Sequence, residues 1–275
     1  MQQIKVALCQ MKVVDDLKIN LNTAKKMIQE ATNNNAKLIA LPEMFICPYS
    51  NNKFKEYSEN KDLKQVIPEI QKKAKENSIY IIAGSIPELV NDKLYNTAYV
   101  INDKGKIIGK HRKIHLFDID IPGKITFKES DTLTGGNKIT VIDTPIGKIG
   151  IGICYDIRFP ELWGLMNKEK IDFAILPGAF NMITGPMHWQ KLLQTRAIDN
   201  QIYMLAISPA RNDNPYYIAY GHSMIINPQG EIVVDAKEDE NIIYSILNPE
   251  KIKEVRQQIP LTDHKRNDIY KLEKI

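Results

Sequence analysis

Apolar runs and segments of helical periodicity alternate along the first part of the chain. Residues 4–9 alternate as a strand does, and residues 17–32 carry apolar side chains at helical spacing. The run 38–41 is short, apolar and stopped by a proline, which is typical of a buried strand. A second helix is predicted over residues 63–75 and a further strand over 79–83. The pattern therefore predicts strands that alternate with helices.

Turn residues between short apolar runs predict hairpins in the remainder of the chain. Residues 95–101 and 106–110 flank a turn that contains glycine, and residues 138–142 and 147–153 form a similar pair. The run 173–177 repeats the apolar pattern and final proline of the earlier strand, so the two halves of the chain are expected to share one build. Further elements are predicted as helices over 162–167, 188–200 and after 248, and as strands over 202–207, 221–226, 232–235 and 242–247. Two largely antiparallel sheets with helices outside them fit this pattern better than one parallel sheet.

Three segments lack periodicity and are predicted to be loops. Residues 51–53 are polar, and residues 178–186 separate a strand from a helix. Residues 111–137 are irregular but rich in aromatic and aliphatic side chains. Because long irregular segments in compact domains are usually functional, we expect the third segment to contribute to a site.

Composition and charge narrow the classes of protein. The 275 residues are 43% hydrophobic, and 37 basic against 33 acidic residues are interspersed along the chain. This distribution predicts a globular protein that binds neither nucleic acid nor anionic membranes. Three widely spaced cysteines suit a reducing compartment, and the amino terminus does not resemble a signal peptide, so a cytoplasmic location is expected.

Cys154 lies at a position that suits a nucleophile. It ends a glycine-spaced apolar strand, and the residues that follow it form a turn into a helix, where free backbone N–H groups can bind developing negative charge. Free cysteine is also among the most frequently buried residue types. Cys154, like Cys9 and Cys47, is therefore also consistent with a packing role.

A reactive thiol needs a partner that accepts its proton. The candidates are Glu43, which follows a buried strand, and five histidines, among which the spacing selects none: His111, His115, His188, His222 and His264. Lys113 is suited to donate to an oxyanion. Taken alone, both charged residues are more typical of an exposed surface.

A metal site is weakly indicated. His111 and His115 have the i, i+4 spacing of a zinc helix, but Arg112 replaces the glutamate of that motif. We therefore expect neither a metal nor a cofactor.

Three ordered blocks carry a family resemblance that the separate residues do not. Leu-Pro-Glu over 41–43, Arg-Lys-Ile-His-Leu over 112–116 and Gly-Ile-Cys-Tyr-Asp-Ile-Arg-Phe over 152–159 resemble the signatures of the nitrilase superfamily of carbon–nitrogen hydrolases. Within it the chain is most similar to the omega-amidases, on stretches at 113–120, 122–130, 177–181, 184–186 and 208–211.

The resemblance implies a fold and an assembly. The expected fold is an α/β, four-layer α-β-β-α sandwich with two sheets flanked by helices. Residues 1–275 are expected to form one domain that pairs as a homodimer. Residues 258–275 would form a carboxy-terminal tail that either contacts the partner subunit or frays like an ordinary chain end.

The resemblance also implies a role for each site residue. Cys154 is the nucleophile, Glu43 the base and Lys113 the oxyanion donor, while Glu129 matches a second glutamate that orients the lysine and the substrate. Further substrate contacts are expected from Tyr49, the Tyr155 backbone N–H, Arg158, Phe180 and Thr184.

Arg158 is expected to clamp the free carboxylate of a dicarboxylate monoamide, although an ion pair with Asp156 or Glu161 is the alternative. The expected reaction is hydrolysis of the terminal amide of 2-oxoglutaramate or 2-oxosuccinamate through a cysteine thioester. Deaminated glutathione or carbamoyl compounds are alternative substrates. A non-catalytic interaction module is a third alternative, which the intact set of catalytic residue types disfavours.

Overall fold

Two six-stranded sheets lie face to face, and helices cover their outer sides. The computed structural model describes residues 2–213 and 216–274, so residues 1 and 275, the ends of the predicted domain, lie outside the described part. The four layers match the predicted α-β-β-α sandwich, which is confirmed. In chain order the strands are β1 (Ile4–Gln10), β2 (Leu38–Ala40), β3 (Tyr80–Val90), β4 (Lys93–Ile101), β5 (Ile107–Arg112), β6 (Asp118–Ile121), β7 (Ile125–Lys128), β8 (Thr140–Thr144), β9 (Gly147–Ile151), β10 (Phe173–Pro177), β11 (Tyr203–Ile207), β12 (Met224–Ile226), β13 (Ile232–Asp235) and β14 (Asn241–Leu247).

The helices divide between the two sheets. The first three pack on the sheet that contains β1 to β5, and α5 packs on the second sheet with α4 beside it. The helices are α1 (Leu17–Asn33), α2 (Asn51–Glu59), α3 (Leu63–Asn77), α4 (Pro160–Lys168), α5 (Thr184–Asn200) and α6 (Pro249–Gln258).

The two sheets share one plan. The strand order is β14-β1-β2-β3-β4-β5 in the first sheet and β8-β9-β10-β11-β12-β13 in the second. In each, three central strands run parallel and the flanking pairs are antiparallel. This confirms the expected relation between the halves. In that relation β2 of the first sheet is equivalent to β10 of the second.

The prediction of largely antiparallel sheets is wrong at their centres. The connections β1 to β2 and β2 to β3 pass through helices, as do those from β9 to β10 and from β10 to β11. A helical crossover returns the chain to the same end of the sheet, so the strands that it joins run parallel.

Alternation along each strand separates the two cores. On β1, Val6 and Leu8 belong to the core between the sheets, whereas Ala7 and Cys9 face the helices. Cys47 is buried in the same helix-facing core as Cys9. Both thiols are free, and both pack among apolar side chains.

Helix α2 replaces the loop expected at residues 51–53. Its amino terminus is capped by Ser50, whose side chain accepts a hydrogen bond from the Lys53 backbone N–H at 3.3 Å. Only Phe54 and Tyr57 are buried along the helix. With so few apolar positions, the segment gave no periodic signal in the sequence.

Two other loop predictions change. Within the irregular segment 111–137, β6 and β7 pair as a small separate hairpin, followed by a 3₁₀ turn at Glu129–Asp131. Helix α5 begins at Thr184, four residues before its predicted start, because the Asn181 side chain accepts a hydrogen bond from the Thr184 backbone N–H at 2.8 Å.

The carboxy-terminal tail contacts its own chain. The Lys168 ammonium donates a hydrogen bond to the Leu272 carbonyl, so the tail lies against α4. In the described ranges, no helix is both long and apolar enough to cross a membrane.

Gly84 allows a close approach between β3 and the segment that leads to Glu43. A β-carbon at this position would lie 2.1 Å from the Pro42 carbonyl oxygen and 2.2 Å from that of Leu41. Backbone atoms occupy this space, so a side-chain rotation cannot relieve the overlap.

We therefore predict that Gly84→Ala lowers the free energy of unfolding by about 1–3 kcal/mol or more, because the segment before Glu43 must shift. Urea denaturation measures this effect. The control is Gly164→Ala on α4. A β-carbon there would lie 2.9 Å from the end of the Leu272 side chain, which is flexible and can move away. Equal losses for both variants would contradict the explanation.

Candidate active site

Cys154 occupies a left-handed turn directly after the central strand β9. Its φ is +47°, a conformation that costs a non-glycine residue of order 1–3 kcal/mol, and a 3₁₀ turn over Cys154–Arg158 follows. The Tyr155 backbone N–H has no hydrogen-bond partner among the described residues. The turn thus presents a thiol beside an unpaired backbone donor.

The glycine before the thiol is required by packing. A β-carbon on Gly152 would lie 2.8 Å from the indole of Trp163, whose Nε1 donates to the Asp156 carbonyl at 2.9 Å. The indole therefore packs against Gly152 and is hydrogen-bonded to the turn that carries Cys154.

Glu43 is fully buried and follows β2, the strand that corresponds to β10 in the other half. Its Oε1 accepts hydrogen bonds from Asn96 Nδ2 at 2.8 Å and from Lys113 Nζ at 3.1 Å. Its Oε2 accepts one from the Ala179 backbone N–H at 2.7 Å. Groups from both sheets therefore hold the carboxylate.

Lys113 follows β5, and its ammonium is buried with three acceptors. The Nζ lies 3.1 Å from Glu43 Oε1, 2.9 Å from Glu129 Oε1 and 3.0 Å from the Tyr49 hydroxyl. The Asn96 backbone carbonyl accepts a hydrogen bond from the Lys113 backbone N–H at 2.9 Å. The side chain thus bridges the two glutamates.

Glu129 begins the 3₁₀ turn after the β6–β7 hairpin. Its Oε2 accepts a hydrogen bond from the Phe117 backbone N–H at 2.7 Å, and its Oε1 accepts one from the Tyr49 hydroxyl at 2.6 Å. All the bonds to Glu129 therefore hold its carboxylate against Lys113.

Burial and charge set the protonation of this cluster. Burial raises the pKa of Glu43, with Glu129 adding to the rise and Lys113 opposing it. Burial of the ammonium lowers the pKa of Lys113, but Glu129 and Glu43 outweigh this and raise it above its ordinary value. Burial and the charge of Glu43 raise the pKa of the Cys154 thiol. At neutral pH the thiol is thus protonated and the lysine is charged, with the Glu43 carboxyl group beside both.

Arg158 ends the 3₁₀ turn and is half-buried. Its guanidinium carbon lies 5.5 Å from the centre of the Tyr155 ring and 5.1 Å from that of Phe180, and its Nη1 lies 3.2 Å from His188 Nδ1. Within the described part of the chain, no carboxylate forms an ion pair with it, so neither alternative partner, Asp156 nor Glu161, holds this side chain.

The last two residues that are predicted to contact the substrate lie near α5. Phe180 is buried, and its ring centre is 4.8 Å from that of Trp189. The Thr184 hydroxyl donates to Asn181 Oδ1 at 3.1 Å. A substrate contact at Thr184 would therefore use the lone pairs of the hydroxyl oxygen.

Comparison with known proteins identifies the family of this site. The carbon–nitrogen hydrolase family profile matches residues 5–257. The chain belongs to the carbon–nitrogen hydrolase family.

Individual members of this family are similar over nearly the whole chain. Omega-amidase NIT3 of Saccharomyces cerevisiae is 48% identical and is aligned over 98% of this chain and 95% of its own. Human omega-amidase NIT2 is 45% identical over 99% of both chains. The crystal structure of Saccharomyces cerevisiae Nit3, a member of branch 10 of the nitrilase superfamily, superimposes with a TM-score of 0.89 at 45% identity and covers 96% of this chain and 97% of that one. These matches confirm the resemblance found in the sequence blocks.

Asp156 joins the two segments of this hydrolase that carry Lys113 and Cys154. Its Oδ2 accepts hydrogen bonds from the Ile153 backbone N–H at 3.0 Å and from His111 Nε2 at 3.1 Å. Its Oδ1 accepts bonds from the His115 backbone N–H at 3.0 Å and from His115 Nδ1 at 2.7 Å. The spacing of the two histidines thus reflects a shared carboxylate, not a helix that binds zinc.

The sequence patterns indicate no site role for Asn96, Asp156 or Tyr217. Asn96 is a buried amide in a strand that is otherwise mostly apolar, and this is its only signal. Asp156 lies in the signature block, where the sequence suggests only an ion pair with Arg158. Tyr217 lies in a segment without periodicity and reaches the site because its ring packs 4.8 Å from that of Tyr49.

We predict that Asp156→Asn destabilises the enzyme by about 1–3 kcal/mol and lowers turnover. Each carboxylate oxygen accepts a bond from a backbone N–H, so an amide in either orientation turns its own NH₂ group against a backbone donor. Urea unfolding and kcat measure the effect.

Asp143→Asn on β8 is the matched control, because that side chain is exposed. Wild-type stability and turnover in Asp156→Asn would contradict the assigned role.

Proposed function

We propose that this carbon–nitrogen hydrolase is an omega-amidase that hydrolyses the terminal amide of 2-oxoglutaramate or 2-oxosuccinamate. The observation that carries the proposal is Arg158, a half-buried cation that has no carboxylate partner among residues 2–213 and 216–274 and lies four residues after Cys154. The planar guanidinium of Arg158 can bind the free carboxylate of a dicarboxylate monoamide through two parallel hydrogen bonds. Relatives named omega-amidases support the same substrate class.

In the first half-reaction Cys154 attacks the amide carbon. Glu43 takes the thiol proton, and Lys113 with the Tyr155 backbone N–H stabilises the tetrahedral oxyanion. The carbon–nitrogen bond then breaks, and Glu43 returns the proton to the leaving ammonia. Glu129 and Tyr49 keep the lysine in place and contribute to the substrate pocket with Phe180 and Thr184.

In the second half-reaction water hydrolyses the thioester. Glu43 removes a proton from the water as the new carbon–oxygen bond forms, and it then protonates the departing sulfur. Because Glu43 must be ionised at the start of each half-reaction, its raised pKa places the acidic limb of the rate profile above the ordinary glutamate range.

Assembly and location are proposed with the function. We propose that residues 1–275 form one domain, that two copies form a homodimer, with the tail from 258 available to contact the partner, and that the protein is cytoplasmic. The three free thiols suit a reducing compartment.

A substrate panel tests the function. We predict ammonia release from 2-oxoglutaramate at a kcat/KM well above that for deaminated glutathione, carbamoyl compounds or nitriles. Cys154→Ala should abolish it while the protein keeps its melting temperature to within a few degrees. Faster turnover of another class would reassign the substrate, and no turnover by the wild type would support the interaction-module alternative.

Arg158→Lys tests the clamp. We predict that kcat/KM for 2-oxoglutaramate falls about 10- to 100-fold, since loss of one charge-assisted hydrogen bond costs roughly 1.5–3 kcal/mol. For a neutral monoamide of the same length, the variant should keep a kcat/KM close to that of the wild type. Arg256→Lys, a half-buried arginine that donates to the Ile171 carbonyl, is the control. An equal loss on both substrates would contradict the clamp.

A further inference from the structure

A contact with His188 is the one hydrogen bond that the described residues make to the guanidinium of Arg158. Arg158 Nη1 lies 3.2 Å from His188 Nδ1. The rings of Tyr155 and Phe180, at 5.5 and 5.1 Å from the guanidinium carbon, attract its charge. This attraction depends on the distance between the cation and the ring, so it does not fix the directions of the N–H groups. The contact with His188 is the one that can fix them.

The chemistry of the two side chains decides which of them donates. The guanidinium carries five N–H donors, no acceptor and a permanent charge. The contact is therefore a hydrogen bond only when His188 is neutral and its Nδ1 carries no proton. Burial lowers the pKa of His188, and the positive charges of Arg158 and Lys191 lower it further. At neutral pH the imidazole is thus neutral and accepts the hydrogen bond from Arg158.

Helix α5 holds the imidazole beside the proposed substrate pocket. His188 lies four residues after Thr184, so the two side chains lie on the same face of the helix. The next residue, Trp189, is buried. Its Nε1 donates to the His222 carbonyl at 2.7 Å, and its ring centre lies 4.8 Å from that of Phe180. These contacts of Trp189 fix the helix, and with it the position of His188 relative to Arg158.

The bond to His188 leaves one edge of the guanidinium without a partner. Within residues 2–213 and 216–274, neither Nε nor Nη2 of Arg158 has a hydrogen-bond partner, and Nε is buried. The N–H groups on this edge are parallel, which is the arrangement that a carboxylate binds with two hydrogen bonds. A buried donor without a partner costs free energy, and a bound carboxylate would remove that cost.

We propose that His188 is a positioning residue for substrate binding: it holds Nη1 of Arg158, so that Nε and Nη2 are directed at the free carboxylate of the substrate. The inference rests on the proposed function, in which Arg158 binds that carboxylate. His188 acts through Arg158 and does not touch the reacting atoms. It should therefore affect the binding of amides with a free carboxylate and leave the chemistry at Cys154 unchanged.

Removal of the acceptor tests this role. His188→Phe keeps an aromatic ring and removes Nδ1. For 2-oxoglutaramate we expect KM to rise about tenfold, the effect of one lost hydrogen bond, while kcat stays within about twofold of wild type. For a neutral monoamide of the same length, both constants should stay within about twofold of wild type. Initial rates of ammonia release over a range of substrate concentrations measure both constants.

Two further variants separate positioning from packing. His188→Asn places an amide oxygen close to the position of Nδ1, so it should keep KM within about threefold of wild type. Gln190→Ala is the control, because it removes an exposed side chain of the same helix whose hydrogen bond goes to Gln194, away from Arg158. It should show wild-type kinetics.

A double-mutant cycle tests whether the effect passes through Arg158. In an Arg158→Met background the guanidinium is absent, so His188→Phe has nothing to release. We expect it to lower kcat/KM for 2-oxoglutaramate by less than about twofold beyond the loss that Arg158→Met causes alone.

Several results would overturn the role of His188. These are an unchanged KM in His188→Phe, an equal loss on the neutral amide, a loss in His188→Asn as large as in His188→Phe, or the full loss in the Arg158→Met background. Failure of the wild type to hydrolyse 2-oxoglutaramate would contradict the proposed function alone. The same variants are then measured on whichever amide with a free carboxylate the wild type hydrolyses, and hydrolysis of no such amide would overturn both proposals.

Discussion

The buried ammonium of Lys113 is the interaction on which the site depends. It lies between Glu43 and Glu129, and the Tyr49 hydroxyl completes its three contacts. Both carboxylates are fully buried, and the removal of one partner from such a buried ion pair typically costs about 3–5 kcal/mol. Burial, together with the charges of Glu43 and Glu129 that Lys113 opposes, raises the pKa of the Cys154 thiol. In this cluster Cys154 is therefore kept as a protonated thiol next to Glu43, the residue that accepts its proton.

The sandwich brings this cluster together from both halves of the chain. Glu43 and Lys113 follow strands of the first sheet, and Glu129 follows the separate β6–β7 hairpin. Cys154 and Ala179 follow strands of the second sheet. Ala179 donates its backbone N–H to Glu43, and Asp156 accepts bonds from the His115 backbone and from the Ile153 backbone beside the thiol. These backbone groups lie two or three residues beyond the ends of sheet strands. Because packed strands move little, the bonds fix the distance between the base and the nucleophile.

Asn96, on a strand of the first sheet, also fixes the relative positions of the site residues. Its side chain donates to Glu43, and its main chain accepts from Lys113, so one strand position sets the distance between base and oxyanion donor. Tyr217 acts similarly from a loop, since it holds the Ala179 carbonyl while the Ala179 N–H holds Glu43. The chemistry therefore depends on neutral groups as much as on the charged ones.

The sequence by itself determined most strands and most helices, but not β6 and β7. It also determined the relation between the two halves and the identities of Glu43, Lys113, Glu129 and Cys154 as candidates. Periodicity and short signature blocks involve residues that are close together in the sequence, so they can be recognised without knowing the tertiary structure. The parallel sheet centres, the link through Asp156 and the contacts of Tyr217 were decided by the tertiary structure alone. Each depends on groups that are far apart in the chain, such as Tyr217 and Tyr49, and only packing brings their side chains into contact.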